Sequence, residues 1–125
     1  MVAFITIPAI ALSMLQASIA APTDAFRGCL RSATDKAKTE KVGADKIDDY
    51  LRTTCTVQMG TLKEALVAFR MKNGMSRKAA ADDASMTVDD YVATPADNYK
   101  FMAEAAAKSA APAVTKASSP QPQKP

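Results

Sequence analysis

The clearest pattern in the chain is a stripe of apolar residues that recurs every three or four positions between residues 45 and 73. This spacing places side chains on one face of an α-helix. Acidic residues lie in the first turns and basic residues in the last, as the helix macrodipole favours, and Asn73-Gly74 predicts a left-handed C-terminal cap. The pattern therefore predicts one long helix, whose stripe is formed by Ile47, Leu51, Cys55, Met59, Leu62, Leu66 and Phe69.

A second stripe precedes this helix and predicts an antiparallel partner for it. After Pro22, Thr23-Asp24 is a helix-opening pair, and the helix is predicted to end around Thr39 to Gly43, where Gly43 is a natural stop. A short turn then joins the two predicted helices into a hairpin. The residues of the first stripe are Phe26, Cys29, Leu30, Ala33 and Ala37.

Weaker signals predict one or two shorter helices towards the C-terminus. Ser76 is a predicted N-cap for a helix to about Ser85, and 87–90 starts another short helical turn. Thr94-Pro95 resembles an N-cap followed by proline at the first helical position. The last helix is predicted to run to about Lys108, with an apolar side formed by Tyr99, Met102 and Ala106.

The two ends of the chain differ in composition from the middle, and they define the bounds of the predicted domain. Residues 1–20 carry no charged side chain and end in Ser18 and Ala20, the small pair typical of a signal-peptide cleavage site. A retained membrane anchor is the alternative for this segment. Residues 109–125 are rich in alanine, proline and serine and predict a disordered tail. A helical domain over 21–108, exported to the periplasm or secreted, is expected between them.

The two cysteines predict one disulfide in an exported chain. Val42 lies in the predicted turn, 13 positions after Cys29 and 13 before Cys55. Equal separations from the turn place two residues of an antiparallel hairpin at the same height. Gly28 and Gly60 are interpreted as positions where the helix backbones approach closely near this bond. The fold class is thus an all-α, disulfide-stapled antiparallel helical hairpin plus the shorter C-terminal helices.

Charge and composition narrow the function classes. The chain has 16 basic and 13 acidic side chains, and setting aside Lys116 and Lys124 of the tail leaves 14 against 13. This balance does not favour nucleic-acid binding. With no histidine and no metal-ligand or cofactor motif, neither a metal nor a cofactor is predicted. The mature methionines are interpreted as filling a thin core. Two acidic pairs, Asp48-Asp49 and Asp89-Asp90, are interpreted as residues that open helices.

One cluster of basic residues near the end of the second predicted helix is a candidate surface for an anionic partner. Its alternative interpretation is complementation of a helix C-terminus by solvated side chains. A membrane surface is possible here but is not specifically indicated. The cluster comprises Arg70, Lys72, Arg77 and Lys78.

Two segments, 26–30 and 50–66, make the chain resemble small uncharacterised exported proteins of alpha-proteobacterial, sphingomonad-like type. The segments that carry this resemblance read Phe26-Arg27-Gly28-Cys29-Leu30 and Tyr50-Leu51-Arg52-Thr53-Thr54-Cys55 through Leu62-Lys63-Glu64-Ala65-Leu66. The resemblance implies a periplasmic helical protein and brings no activity with it.

Three functional hypotheses follow from these observations. The first is a non-catalytic, envelope-associated protein that binds a partner protein through an uncovered apolar stripe. The second is a small periplasmic binding module for a hydrophobic or anionic ligand held between helices. The third and least favoured hypothesis is an enzyme of unknown type. The chain has no histidine, which is the most common general base near neutral pH. The pattern leaves the oligomeric state open.

Overall fold

A computed structural model describes residues 10–110 of the protein, with side chains described from residue 19 to residue 109. These residues form four helices and no strand: α1 (Ile10–Glu40), α2 (Ile47–Thr54), α3 (Thr56–Lys72) and α4 (Arg77–Ala110). Helix α1 packs against α3 as a hairpin, and α4 packs along both. The predicted all-α class is confirmed.

Helix α1 buries the predicted stripe but begins earlier than predicted. Phe26, Leu30 and Ala33 are at most 3% exposed. The helix runs back through Pro22 to residue 10, so the predicted start at Thr23 is wrong. Residues 1–9 of the predicted signal peptide lie outside the described residues, and its cleavage stays a prediction. No helix within residues 10–110 is long and apolar enough to cross a membrane.

Helix α1 ends at Glu40, and Lys41 rather than Gly43 forms its left-handed cap. Lys41 adopts a left-handed φ of 55°. The N–H of Val42 donates to Ala37 O at 3.0 Å, and the N–H of Lys41 donates to Lys38 O at 3.3 Å. These two bonds form a Schellman motif. The helix therefore ends within the predicted range, 39–43, although the chain turns two residues before Gly43.

The long helix predicted over residues 45–73 is divided into α2 and α3 at Cys55. This residue has φ −104° and ψ 22°, outside helical geometry. Its N–H donates to Leu51 O at 3.0 Å and its carbonyl accepts from Met59 N at 2.9 Å, so hydrogen bonds bridge the joint. At the other end, Gly74 has φ 95°, which confirms the predicted left-handed cap.

Helix α4 is the longest helix described, with 34 residues, so the predicted shorter C-terminal helices are in fact one. Thr94-Pro95 lies inside it and starts no helix. Packing against α1, α2 and α3 maintains the helix through Pro95, because tertiary burial outweighs local propensity. Its buried stripe consists mainly of small residues at spacings of four: Ala80, Ala84, Val88, Val92 and Ala96, followed by Tyr99.

The end of α4 projects past the other helices. Tyr99 lies at the height of the turn after α1, where its hydroxyl donates to Val42 O at 2.6 Å. After Lys100, which pairs with Asp48 of α2, the described side chains of α4 are exposed except for the half-buried Ala103. Met102 is 61% exposed and Ala106 is exposed, which corrects their predicted placement on a packed side. The predicted tail begins inside α4 at residue 109, and 111–125 lie outside the described residues.

The disulfide between Cys29 and Cys55 is confirmed, with the two Cα atoms 5.9 Å apart. Cys55 is fully buried and lies in the joint between α2 and α3. Gly28 and Gly60 do not bring backbones together: a Cβ atom at either position would have no atom within 4 Å. The close-approach interpretation of these two glycines is therefore wrong.

Three ion pairs join the middle of the chain to α4. Arg52 pairs with Asp89 at 2.9 Å, Arg70 with Asp83 at 2.6 Å, and Lys100 with Asp48 at 2.5 Å. Each is partly solvent-exposed, so each adds little stability but favours one register of α4. The interpretation of Asp89-Asp90 as opening a helix is wrong, since both lie inside α4.

Removing the disulfide should destabilise the bundle strongly. The bond closes a sequence separation of 26 residues, which is worth about 3–4 kcal/mol in the chain-entropy model. The double variant Cys29→Ala/Cys55→Ala should therefore melt at least about 12 °C below the parent, measured by circular dichroism. The parent in reductant is the matched control and should melt close to the variant. Equal melting of parent and variant would contradict a stabilising role.

Alanine at the two open glycines should stabilise the protein. Gly28 and Gly60 lie inside helices with free space around the missing Cβ, so Gly28→Ala and Gly60→Ala should each add about 0.5–1 kcal/mol to the free energy of unfolding. Gly74→Ala is the control and should destabilise, because its left-handed φ strains any Cβ. Destabilisation by the first two variants would show that the backbones do meet there.

Candidate functional site

A groove of about 330 Å³ runs along the seam between α1 and α4. Both helices contribute side chains to its lining. The packing of α4 is closer on α3 than on α1, which leaves this seam open. The groove is lined by Arg27, Leu30 and Arg31 from α1 and by Tyr91, Thr94, Pro95 and Asn98 from α4.

The apolar side of the groove is anchored in the core. Leu30 is 3% exposed, and Phe26, one turn earlier on α1, is fully buried. The Phe26 and Tyr91 rings meet edge to face, with centroids 6.3 Å apart and planes at 81°. This aromatic contact fixes the Tyr91 ring, so the apolar surface of the groove is held in place before any ligand binds.

Two arginines form the charged wall on α1. Arg27 and Arg31 are four residues apart, which places them one helical turn apart on the same face, and both are exposed. Among residues 19–109, no carboxylate lies within 4 Å of either guanidinium. Asp35, one turn after Arg31, pairs instead with Lys38 at 3.4 Å. Both guanidiniums are therefore available to an external anion.

The wall on α4 carries polar groups that the fold does not use. Within the described residues, the hydroxyls of Tyr91 and Thr94 and the amide of Asn98 have no hydrogen-bond partner in the protein. By contrast, Thr87, two turns before Thr94, donates to the carbonyl of Asp83 at 3.0 Å. The three groove groups are therefore free to hydrogen-bond to solvent, and a bound ligand can take the place of that solvent.

Pro95 removes one backbone hydrogen bond of α4 at the same place, although the helix continues through it. Because proline has no N–H, the Tyr91 carbonyl lacks its usual helical partner, at a cost of about 3 kcal/mol in a helix interior. Sequences break a local rule most often where a site needs it. The proline ring adds a rigid apolar surface between Thr94 and Asn98.

The basic cluster predicted from the sequence lies elsewhere, around the turn between α3 and α4. Two of its members are matched by acidic groups: Arg70 pairs with Asp83, and Lys78 pairs with Asp82 at 2.8 Å. Lys72 and Arg77 are exposed. Arg77 also borders a shallow, mainly apolar groove on α3, formed with Lys63, Glu64, Val67, Ala68 and Met71.

Most mature methionines lie on the surface, so their interpretation as core residues is wrong. Met59 packs against the core. The others are between 37% and 61% exposed, because they lie on the outer faces of α3 and α4 or in the turn between them: Met71, Met75, Met86 and Met102.

Two side chains near the α1–α2 turn have shifted titration. A hydrogen bond from the Tyr50 hydroxyl to Glu40 Oε2, 2.8 Å long, raises the pKa of Tyr50. The hydrogen bond with Asp48 raises the pKa of Lys100. Both shifts belong to contacts that tie the turn to α2 and α4, so they concern stability rather than the groove. Within residues 10–110 no group of three or more candidate metal ligands occurs.

The groove cannot be recognised from the sequence. Arg27 and Arg31 belong to the charged faces of a predicted amphipathic helix, and only the three-dimensional arrangement shows that neither is paired. The arginine spacing and a proline inside a helix are the two signals present in the sequence. No protein-family model, curated protein or solved structure matches the chain.

The hydroxyls of two tyrosines on α4 should behave differently. Tyr99→Phe removes the donor to Val42 O and leaves a part-buried carbonyl unpaired, so it should lower the free energy of unfolding by about 1–3 kcal/mol. Tyr91→Phe is the matched control: its hydroxyl has no protein partner, and the change should stay within about 0.5 kcal/mol. Urea unfolding measures both. A costly Tyr91→Phe would mean that this hydroxyl is structural and not available to a ligand.

Proposed function

We propose that the protein is a non-catalytic binding module of the periplasm or the extracellular space, and that it binds its ligand in the α1–α4 groove. The observation that carries the proposal is the groove itself, where two unpaired arginines face three unused polar groups across an apolar floor. These side chains supply charge, hydrogen bonds and shape, which are the elements of recognition in small-ligand sites.

The groove is held rigid at both ends, which suits a preformed site. The Phe26–Tyr91 contact closes the seam on one side, and the Tyr99 hydrogen bond to Val42 closes it on the other. A site whose backbone and aromatic ring are already fixed loses less conformational freedom when the ligand binds, and this raises affinity.

The disulfide supports the compartment in this proposal. Disulfides persist in oxidising environments such as the periplasm and the extracellular space. Cleavage after Ala20 would make Pro22 the second residue of the mature chain. A proline in the first turn needs no partner carbonyl, whereas the uncleaved helix lacks a hydrogen bond at this point. Removal of 1–20 thus leaves a better helix start.

Binding of a partner protein is less well supported than binding of a ligand. The large exposed apolar side chains, such as Val57 on α3 and Phe101 on α4, are distributed along two helices. A protein interface of standard size needs about 800 Å² from each partner. The groove instead has the size expected at the lower end for small-molecule sites, about 300 Å³ and above.

A fragment screen by nuclear magnetic resonance tests the proposal. The probes are small aryl compounds of three kinds: neutral, cationic and anionic. Chemical-shift changes on binding should concentrate on the residues that line the groove. Thr94→Trp should abolish these changes, because the indole fills the groove, while Ala93→Trp on the neighbouring exposed position should leave them intact.

Two results of this screen would contradict the proposal. Shift changes that are absent for every probe, or that persist in Thr94→Trp, would exclude the groove as the binding site. Both tryptophan variants must melt near the parent, so that loss of binding cannot be attributed to loss of the fold.

A further inference from the structure

We infer that the ligand of the groove is a small organic dianion, with a phosphate-ester group bound by Arg27 and Arg31 and an apolar body lying on Leu30, Tyr91 and Pro95. This inference rests on the proposed function, since it names the ligand class of the same groove. It also assigns a role to two arginines that the fold does not pair.

Arg27 and Arg31 differ from the two arginines that link helices, and unlike the equally unpaired Arg77 they line the α1–α4 groove. Arg52 and Arg70 each bind a carboxylate of α4 and thereby link helices. Arg27 and Arg31 project from α1 towards α4, yet the part of α4 that faces them offers Tyr91, Thr94 and Asn98 and no carboxylate. Two adjacent positive charges are thus left uncompensated at the rim of one groove.

Two arginines one turn apart favour a doubly charged, tetrahedral group over a single carboxylate. Each guanidinium presents a planar fork of donors that matches two oxygens of a phosphate or carboxylate. A single carboxylate has two oxygens and satisfies one fork. A phosphate ester carries close to two negative charges near pH 7 and three free oxygens, so it can engage both arginines at once.

The apolar surface of the groove favours an organic phosphate ester over inorganic phosphate. Leu30, the Tyr91 ring and the Pro95 ring form apolar surface beside the charged wall. An aryl or alkyl group on this surface would be removed from water and add binding free energy in proportion to the area buried. The Thr94 hydroxyl and the Asn98 amide lie on the same wall and can hydrogen-bond to polar atoms of that group.

Titration with four probes at low ionic strength tests the inference on the full mature chain with its disulfide intact. Phenyl phosphate carries both the dianion and the ring, benzoate carries one charge, inorganic phosphate lacks the ring, and benzyl alcohol lacks the charge. Phenyl phosphate should bind at least about tenfold more tightly than each of the others. Its affinity should fall as salt is added, because the charges are exposed.

Charge-removing variants locate the binding site. Arg27→Gln and Arg31→Gln should each weaken phenyl phosphate binding about tenfold or more. Arg31→Lys keeps the charge but loses the planar fork, so it should bind with intermediate affinity. Arg77→Gln and Lys72→Gln are matched controls, because they remove the same charge from exposed positions outside the groove. They should leave the affinity within about twofold of the parent.

Four other results would contradict the inference, each for a different reason. If benzyl alcohol binds in the groove as tightly as phenyl phosphate, the dianion is wrong, while the proposed function stands. Equal losses in Arg77→Gln and Arg27→Gln would show non-specific attraction to a basic surface. Arginine-dependent sedimentation with phosphatidylglycerol vesicles, without affinity for phenyl phosphate, would replace the small ligand by a membrane surface. If no probe of any charge perturbs the groove, the proposed function fails as well.

Discussion

The covalent bond between Cys29 and Cys55 holds α1 against the joint between α2 and α3, and the remaining packing is arranged around this point. A small chain with four Phe, three Tyr and no Trp has little large apolar surface to bury. Its core depends on alanines and short aliphatic residues, which each contribute little. A crosslink at the middle of the first interface reduces the entropy of the unfolded chain where the core alone is thin.

Helix α4 packs against this hairpin through complementary shape and through ion pairs. Its stripe of alanines and valines lets it approach closely, and Arg52, Arg70 and Lys100 form ion pairs that connect α2 and α3 with α4. The register of α4 is fixed at its far end by the buried hydroxyl of Tyr99. A hydrogen bond to a turn carbonyl is selective because the carbonyl would otherwise be buried without a partner.

The parts of this fold that follow from the sequence are those set by local periodicity. The stripes of α1, α2 and α3 and the Cys29–Cys55 pairing needed only the helical repeat and equal distances from a turn. The left-handed Lys41, the joint at Cys55 and the continuity of α4 through Pro95 could not be predicted, since each depends on packing between distant segments. The groove was missed for the same reason: whether Arg27 and Arg31 are paired depends on which residues α4 places opposite them.

The structure also explains why the open seam lies between α1 and α4. The disulfide draws α1 towards α3, and the ion pairs between helices in residues 19–109 connect α4 with α2 or α3, never with α1. In the described residues, the α1–α4 seam combines core packing with the edge-to-face contact of Phe26 and Tyr91 and the contacts of the Tyr99 hydroxyl with the carbonyls of Ala37 and Val42. Between these contacts lie Pro95 and the unpaired arginines. Extra stabilising contacts there would close the groove, and a ligand can therefore add in this seam the interactions that the fold leaves unmade.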